Sequence, residues 1–193
     1  MKTNALAPLL ILLLFSLTLI LSSCVTQLSE WENDQSAGIN GGFEIVKSDL
    51  PVNWLVYTPK TCGEGDWDLR YDTSDVIEGK QSLCFDVRLC SDKGGRFSPG
   101  IAQEIKVKEG GRYKISFRIK NAGSDFKIKI NAVNPLSEAK GIVMESKESI
   151  DKWRLYEYDY KMPKDMKRLC FELSILKPGK FWIDELRVGE KDN

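Results

Sequence analysis

The side chains that could do chemistry here are carboxylates and thiols, because the chain of 193 residues has no histidine. Without imidazole there is no Ser-His-Asp or Cys-His nucleophile system and no histidine metal ligand. Nor is there a side chain with an ordinary pKa near neutrality to act as acid and base. A glycosidase needs two carboxyl groups about 5–10 Å apart. The 28 Asp and Glu residues could supply such a pair by chance, but no motif marks one. The acids are balanced by 28 Lys and Arg, so the basic excess that neutralises nucleic-acid phosphates is missing. No nucleic-acid partner is expected. An apolar fraction of 42% is enough for a core, and the length suits one domain with a tail.

Four cysteines, Cys62, Cys84, Cys90 and Cys170, follow Cys24. In an oxidising compartment an even count is compatible with two disulfides, for which three connectivities exist. Alternation sets Leu83 and Phe85 on one strand face and Cys84 on the other, and it treats Leu169, Phe171 and Cys170 the same way. Two off-core strand cysteines could pair, and Cys62 and Cys90 could pair across Gly-rich loops. The expected set is Cys62–Cys90 with Cys84–Cys170; free thiols are the alternative. There is no C-x-x-C, so zinc is not expected.

The first residues read as a targeting segment. Lys2 precedes an apolar run over residues 9–21, interrupted only by Ser16 and Thr18. That is the length of a signal-peptide h-region and is short for a membrane span. The run ends in Leu21-Ser22-Ser23-Cys24, which resembles a bacterial lipobox. The resemblance implies removal of residues 1–23 and acylation of Cys24. Several acyl chains on one residue anchor stably, each buried methylene contributing about 0.8 kcal/mol. Cleavage removes Lys2 and no acid, leaving 27 basic and 28 acidic residues and a net charge of −1. Attachment must then rest on lipid rather than charge. Residues 24–39 read as a polar tether. Its Glu30, Glu32 and Asp34 resemble the surface-export signal of some Gram-negative lipoproteins, or form a plain solvated linker. The expected location is the cell envelope, at the outer membrane or cell surface rather than the inner membrane.

Any site must be positioned by strands. Period-two alternation recurs from residue 43 onward, at 43–46, 53–58, 67–71, 81–89, 101–107, 113–120, 126–130, 153–160, 169–175 and 181–188. Turn signals such as Asp92-Lys93-Gly94-Gly95 and Glu109-Gly110-Gly111 separate them. The only helix candidate, residues 135–139, is very short. Half-buried strands in unbroken series predict an all-β, antiparallel sandwich whose two sheets share their apolar faces. The domain is expected over residues 40–189, with residues 190–193 as a tail.

Four segments then carry a resemblance: Asn40-Gly41-Gly42-Phe43-Glu44, Glu78-Gly79-Lys80-Gln81-Ser82-Leu83, the stretch from Gln103 through Gly111-Arg112-Tyr113, and Phe181-Trp182-Ile183-Asp184-Glu185-Leu186. With Pro51-Val52-Asn53-Trp54 and Trp153-x-x-Tyr156, they resemble carbohydrate-binding modules of the galactose-binding-like jelly-roll type, closest to families 4, 9 and 22. The segment 59–66, with its Cys62, departs from the simplest members. The resemblance implies that Glu44 and Asp184, on neighbouring first and last strands, hold a structural Ca²⁺ with help from the Lys80 backbone. Capping of strand ends by backbone amides is the alternative.

The resemblance also implies a glycan partner, because pyranose faces stack on aromatic rings. Trp54, Trp153, Trp182, Tyr113, Phe117, Tyr158 and Tyr160 are expected in the core. Tyr57, Trp67 and Tyr71 flank the long segment and are ligand candidates, with Arg88, Arg118 and Asn131 from the off-core polar rows. Gln103 shares the parity of Ile101 and Ile105 and is expected to be semi-buried and structural. The expectation is a monomeric, non-catalytic, lipid-anchored protein that binds a poly- or oligosaccharide. An envelope protein binding a protein partner and a small glycan-active hydrolase are the other two readings.

Overall fold

The structure, a computed structural model, describes residues 34–62 and 65–192. The apolar run, the lipobox and Cys24 lie outside the described residues. A 3-10 turn at Gln35–Ala37 opens the domain. The strands are β1 (Val46–Lys47), β2 (Leu50–Pro51), β3 (Leu55–Tyr57), β4 (Asp66–Asp72), β5 (Ser82–Leu89), β6 (Gly100–Lys106), β7 (Arg112–Ala122), β8 (Phe126–Asn134), β9 (Ser137–Glu138), β10 (Ile142–Ser146), β11 (Ile150–Lys161), β12 (Arg168–Ile175) and β13 (Gly179–Glu190). One helix, α1 (Pro59–Cys62), and a second 3-10 turn at Gly95–Phe97 complete the described elements.

Two antiparallel sheets make the sandwich. One runs β10-β8-β12-β6-β3, with β9 paired to β8, and is six-stranded; the other runs β11-β7-β13-β5-β4. Their inner faces share one apolar core. Phe171 of β12 meets Phe117 of β7 edge-on at 5.2 Å, and Phe126 of β8 meets Phe181 of β13 at 4.9 Å. These contacts join the sheets through fully buried rings. The period-two pattern was sufficient to assign most of these faces, because a strand buried on one side must alternate.

Several expectations change. Residues 135–139 form a turn and β9 rather than a helix, while α1 is helical and was not anticipated. Asn53, with φ +70°, bonds Asp34 at both backbone N and O and also reaches Gly38 O at 2.8 Å. The first and last strands are not neighbours. β1 pairs only with β2; the chain start meets β13 instead through Leu186 N–H donating to Gly41 O at 3.0 Å. A β-carbon at Gly41 would lie 1.8 Å from that Leu186 carbonyl, so only glycine fits there.

The expected disulfides are absent from the described residues, where all four cysteines are free. Cys84–Cys170 is excluded by placement. Cys84 sits on the outer face of one sheet beside Trp182 and Arg70, and Cys170 on the outer face of the other beside Asn131 and Glu104. The whole core separates them, far beyond the ~7 Å Cα limit for a bridge. Parity had correctly put both off-core, but parity does not distinguish one outer face from the other. Cys62 and Cys90 do lie at one end of the sandwich: Cys62 Sγ donates to Ser98 O at 3.6 Å, and Ser98 Oγ donates to Ser91 O, next to Cys90, at 2.6 Å. Burial pushes the thiols of Cys84 and Cys170 up to about 12 and that of Cys90 to about 11, so none is a thiolate nucleophile at neutral pH.

Alkylation after unfolding, without prior reduction, should label both Cys84 and Cys170. A cross-linked Cys84–Cys170 peptide in mass spectra of the native protein would contradict the two-face placement.

Candidate functional site

Glu44 and Asp184 are brought together as expected, and the contacts they make are to backbone amides. Asp184 is 0% exposed. Its Oδ2 accepts N–H bonds from Ile77 at 2.8 Å and Glu78 at 3.1 Å, and its Oδ1 accepts from Glu185 at 2.7 Å. Glu44 Oε1 accepts from Lys80 at 2.8 Å and Gln81 at 3.2 Å. A bulge in β13 after Asp184, with Glu185 at φ +57°, accompanies this geometry. Gly79, at φ +75°, leaves room for Glu44, because a β-carbon there would lie 2.3 Å from Glu44 Oε1. Burial raises the Asp184 pKa, the amides oppose that shift, and Glu44 adds to it.

Calcium takes about 6–8 oxygen ligands. Here three of the four carboxylate oxygens already accept N–H bonds, and it is the Lys80 amide that faces Glu44. N–H donors repel a cation. No group of three or more Cys, Asp or Glu side chains able to hold a metal occurs among the described residues. The donor set therefore fits capping and does not by itself supply a calcium shell.

The outer face of the five-stranded sheet is laced with ion pairs. Arg88 reaches Asp68 at 2.9 Å and Asp66, Arg118 Nε donates to Glu185 at 2.6 Å, and Lys114 meets Glu157 at 2.6 Å. Arg88 and Arg118, expected as ligand candidates, are thus each occupied by carboxylates. Trp153 and Trp182, expected in the core, lie half-buried on this side. Their indole N–H groups donate to Asp75 at 2.6 Å and to Asp72 at 2.9 Å. Lys120 bonds Asp75 and stands 5.0 Å over the Trp182 ring. This cluster clamps residues 72–81, the loop whose amides hold Glu44 and Asp184. Sequence parity could have placed Trp182 outside, since Phe181 and Ile183 flank it.

Two aromatic candidates move inward. Trp67 is 4% exposed and belongs to the core. Tyr71 packs against that core and donates its hydroxyl to Asp49 O at 3.3 Å.

Tyr57 and Asn131, in contrast, share the outer face of the six-stranded sheet. Across its strands run Tyr57 and Leu55 of β3, Gly100, Ala102 and Glu104 of β6, Cys170, Glu172 and Ser174 of β12, and Lys127, Lys129 and Asn131 of β8. Loops cover both ends of this strip. At one end Gly95 N–H donates to Ser174 Oγ at 2.9 Å, pinning residues 91–98 onto β12. At the other, the chain at Gly141 crosses so closely that a β-carbon there would lie 2.4 Å from Asn131 Cβ. Between them, Tyr57 donates to Glu172 Oε1 at 2.6 Å, and burial raises the tyrosine pKa. Asn131 is 1% exposed. Its Nδ2 donates to Glu138 at 3.3 Å, yet its Oδ1 accepts no hydrogen bond. An unmatched buried carbonyl costs about 1–3 kcal/mol and calls for an account. The charges on and beside the strip cancel in pairs: Lys129 with Glu138 at 2.6 Å, Lys127 with Glu145 at 2.9 Å and Arg168 with Glu104 at 2.8 Å. Lys129 lowers the Glu138 pKa. Glu138 therefore stays ionised and is poorly suited to be a general acid. Gln103, on the inner face, is buried and donates to Asn53 O at 2.8 Å and to Ile39 O, as its parity implied.

Comparisons with known proteins agree with this architecture. No protein-family model matches the sequence, and no curated protein matches it. Among solved structures, a CBM4 module aligns with a TM-score of 0.56 at 15% identity, covering 79% of this chain and 98% of its own. The CBM22-1 xylan-binding domain from Paenibacillus barcinonensis Xyn10C aligns at 0.52 and 15%, covering 78% and 91%. A cyclase from Fischerella sp. TAU aligns at 0.57 and 13%, covering 80% and 96%. The chain has the jelly-roll sandwich of carbohydrate-binding modules, and at these identities the likeness concerns the fold.

Two stability effects follow from the carboxylates. Asp184→Ala leaves three amides without their acceptor and should cost about 3 kcal/mol or more in a denaturant melt. The chelator EGTA should leave the wild-type midpoint unchanged; a drop of several degrees would assign calcium to the pair. Asp72 is held down to about 2 by bonds from Ser74 and Trp182. The unfolded chain, at an ordinary 3.8, then binds more protons across that window, so stability falls as pH drops through it. Asp72→Asn should flatten that part of the midpoint-versus-pH curve; an unchanged curve would show that Asp72 is not held down in the folded state.

Proposed function

We propose that this protein is a lipid-anchored, non-catalytic envelope protein that captures a poly- or oligosaccharide on the outer face of its six-stranded sheet. The observation that carries the reading is the buried Asn131 carbonyl oxygen, unpaired among the buried and half-buried polar side chains of this face on a carbohydrate-binding-module fold. Asn131 Oδ1 lies beneath the chain at Gly141, so a sugar hydroxyl would reach it through a bridging water. The Glu172 carboxylate could accept a second hydroxyl beside Tyr57. Net neutrality of the paired charges favours an uncharged glycan over a polyanion. The opposite outer face, closed by ion pairs and by the Asp72–Asp75 clamp, offers fewer free polar atoms.

The non-catalytic part is supported by the carbohydrate-binding modules among the structural neighbours and by Lys129, which keeps Glu138 ionised. The Fischerella cyclase shares the fold, so product analysis belongs with the binding test. A structural Ca²⁺ at Glu44 and Asp184 is the alternative that the EGTA melt decides, and the amide bonds count against it. Anchoring rests on Leu21-Ser22-Ser23-Cys24, and display at the outer membrane or cell surface is proposed with it.

Affinity electrophoresis of the full mature chain, detergent-solubilised, against soluble xylan and a panel of soluble β-glucans tests the binding face. At least one polysaccharide should retard the wild type, and Asn131→Ala with Glu172→Ala should weaken that by about tenfold or more. Retardation untouched by both substitutions would move binding to another surface, and sugar release from any of the polymers would make the protein an enzyme. Separately, Cys24→Ala should abolish acyl labelling and release the protein from membranes. Membrane retention by an acyl chain in that variant would refute the lipobox.

A further inference from the structure

We propose that Phe97, presented by the loop at residues 91–98, is the stacking platform of the glycan site, with the Arg96 guanidinium backing one face of the ring and the other face left for a sugar. This deepens the reading above and rests on it. Phe97 is 47% exposed and is the one aromatic among the exposed large apolar side chains. Other aromatic rings on the described chain are buried or half-buried, so no other is comparably available to a sugar.

Its exposure is unusual because the loop around it is tightly fixed. Ser98 is fully buried; its Oγ donates to Ser91 O at 2.6 Å and accepts from Gly94 N at 2.9 Å. Cys62 of α1 donates to Ser98 O. Gly95 N–H ties the loop to Ser174 of β12. Gly94 and Gly95 have φ of +75° and +56°, conformations that glycine adopts without strain. The bonds flank Phe97 on both sides and none uses its ring. The ring is thus held outward on a fixed loop, a pre-organised apolar surface.

Position and surroundings fit a sugar. Gly95 lies on the strip itself, since a β-carbon there would be 3.7 Å from Glu172 Oε1, and Phe97 is within one 3-10 turn of it. The Arg96 guanidinium lies over one face of the Phe97 ring, 5.1 Å from its centroid, so a sugar would stack on the opposite face, with the fork of N–H donors across the ring from it. A pyranose presents an apolar face of C–H groups bordered by hydroxyls. Its exposed sequence neighbours Asp92, Lys93 and Arg96 are polar, and Phe97 is the only exposed apolar side chain among residues 91–98. A protein partner would need a broader apolar patch.

The test uses the full mature chain in detergent and whichever of xylan or the soluble β-glucans retards the wild type. Phe97→Ala should weaken retardation by about tenfold or more, and Phe97→Tyr, which keeps a ring, should restore it. Leu155→Ala, a change at an exposed side chain of the other sheet, should leave binding within about twofold, the spread expected of a non-contact. Melting midpoints of the Phe97 variants should match the wild type, because the ring is not in the core. Binding that survives Phe97→Ala overturns the platform while leaving the glycan reading in place. A wild type that binds none of the polymers overturns the glycan reading and the platform together.

Discussion

The fold depends on five backbone N–H groups being accepted by two carboxylates. Asp184 and Glu44 take the amides of Ile77, Glu78, Lys80, Gln81 and Glu185. These bonds join the start of the domain, the loop at 72–81 and the last strand, three regions distant in sequence. The Ile77 and Glu78 amides, partly buried against Asp184, would otherwise lack acceptors, a cost that proteins rarely leave uncompensated. The Asp184 carboxylate is itself costly to bury, and its three amides offset that cost; Glu44 is exposed and fastens its two amides at the surface. Trp153, Trp182 and Lys120 extend the arrangement by gripping Asp72 and Asp75 at the far end of the same loop.

This tie also assigns different work to the two outer faces. The five-stranded sheet carries the clamped loop and a lattice of ion pairs, which satisfies its polar groups internally. The six-stranded sheet keeps polar groups with spare capacity, Asn131 Oδ1 foremost. Loops crossing its two ends shield part of the strip from water, which strengthens any hydrogen bond made there. The loop at 91–98 does this through bonds to β12 and to α1, so the segment around Cys62 contributes to one wall.

The four thiols fit the same division. Cys84 and Cys170 occupy opposite outer faces, and each is protonated at neutral pH because burial opposes the thiolate. They act as small packing groups under neighbouring side chains. Stability therefore has to come from the core rings and the carboxylate tie rather than from a cross-link between these two strands.

The sequence by itself determined the class of fold, most strand positions and the residues facing the core. Alternation of apolar and polar residues is a local property of a half-buried strand, and it read correctly for Phe117, Ile119, Phe171 and Leu173. The importance of Glu44 and Asp184 was also legible, through the segments that contain them. Which strands pair, and which outer face a polar residue occupies, is not local, because both faces obey the same period of two. Cys84 and Cys170 looked alike by parity and lie on opposite sides of the core. Trp67 and Tyr71 looked like Tyr57, but only Tyr57 reaches the strip with Asn131. Trp182 was assigned by its bulk and apolarity to the core, where tertiary structure instead gave its indole N–H an aspartate on a distant loop. Phe97 drew no attention in the sequence, since it lies between turn residues with no period. Its exposure was decided by the bonds that Ser98, Gly94 and Gly95 make to groups elsewhere in the fold.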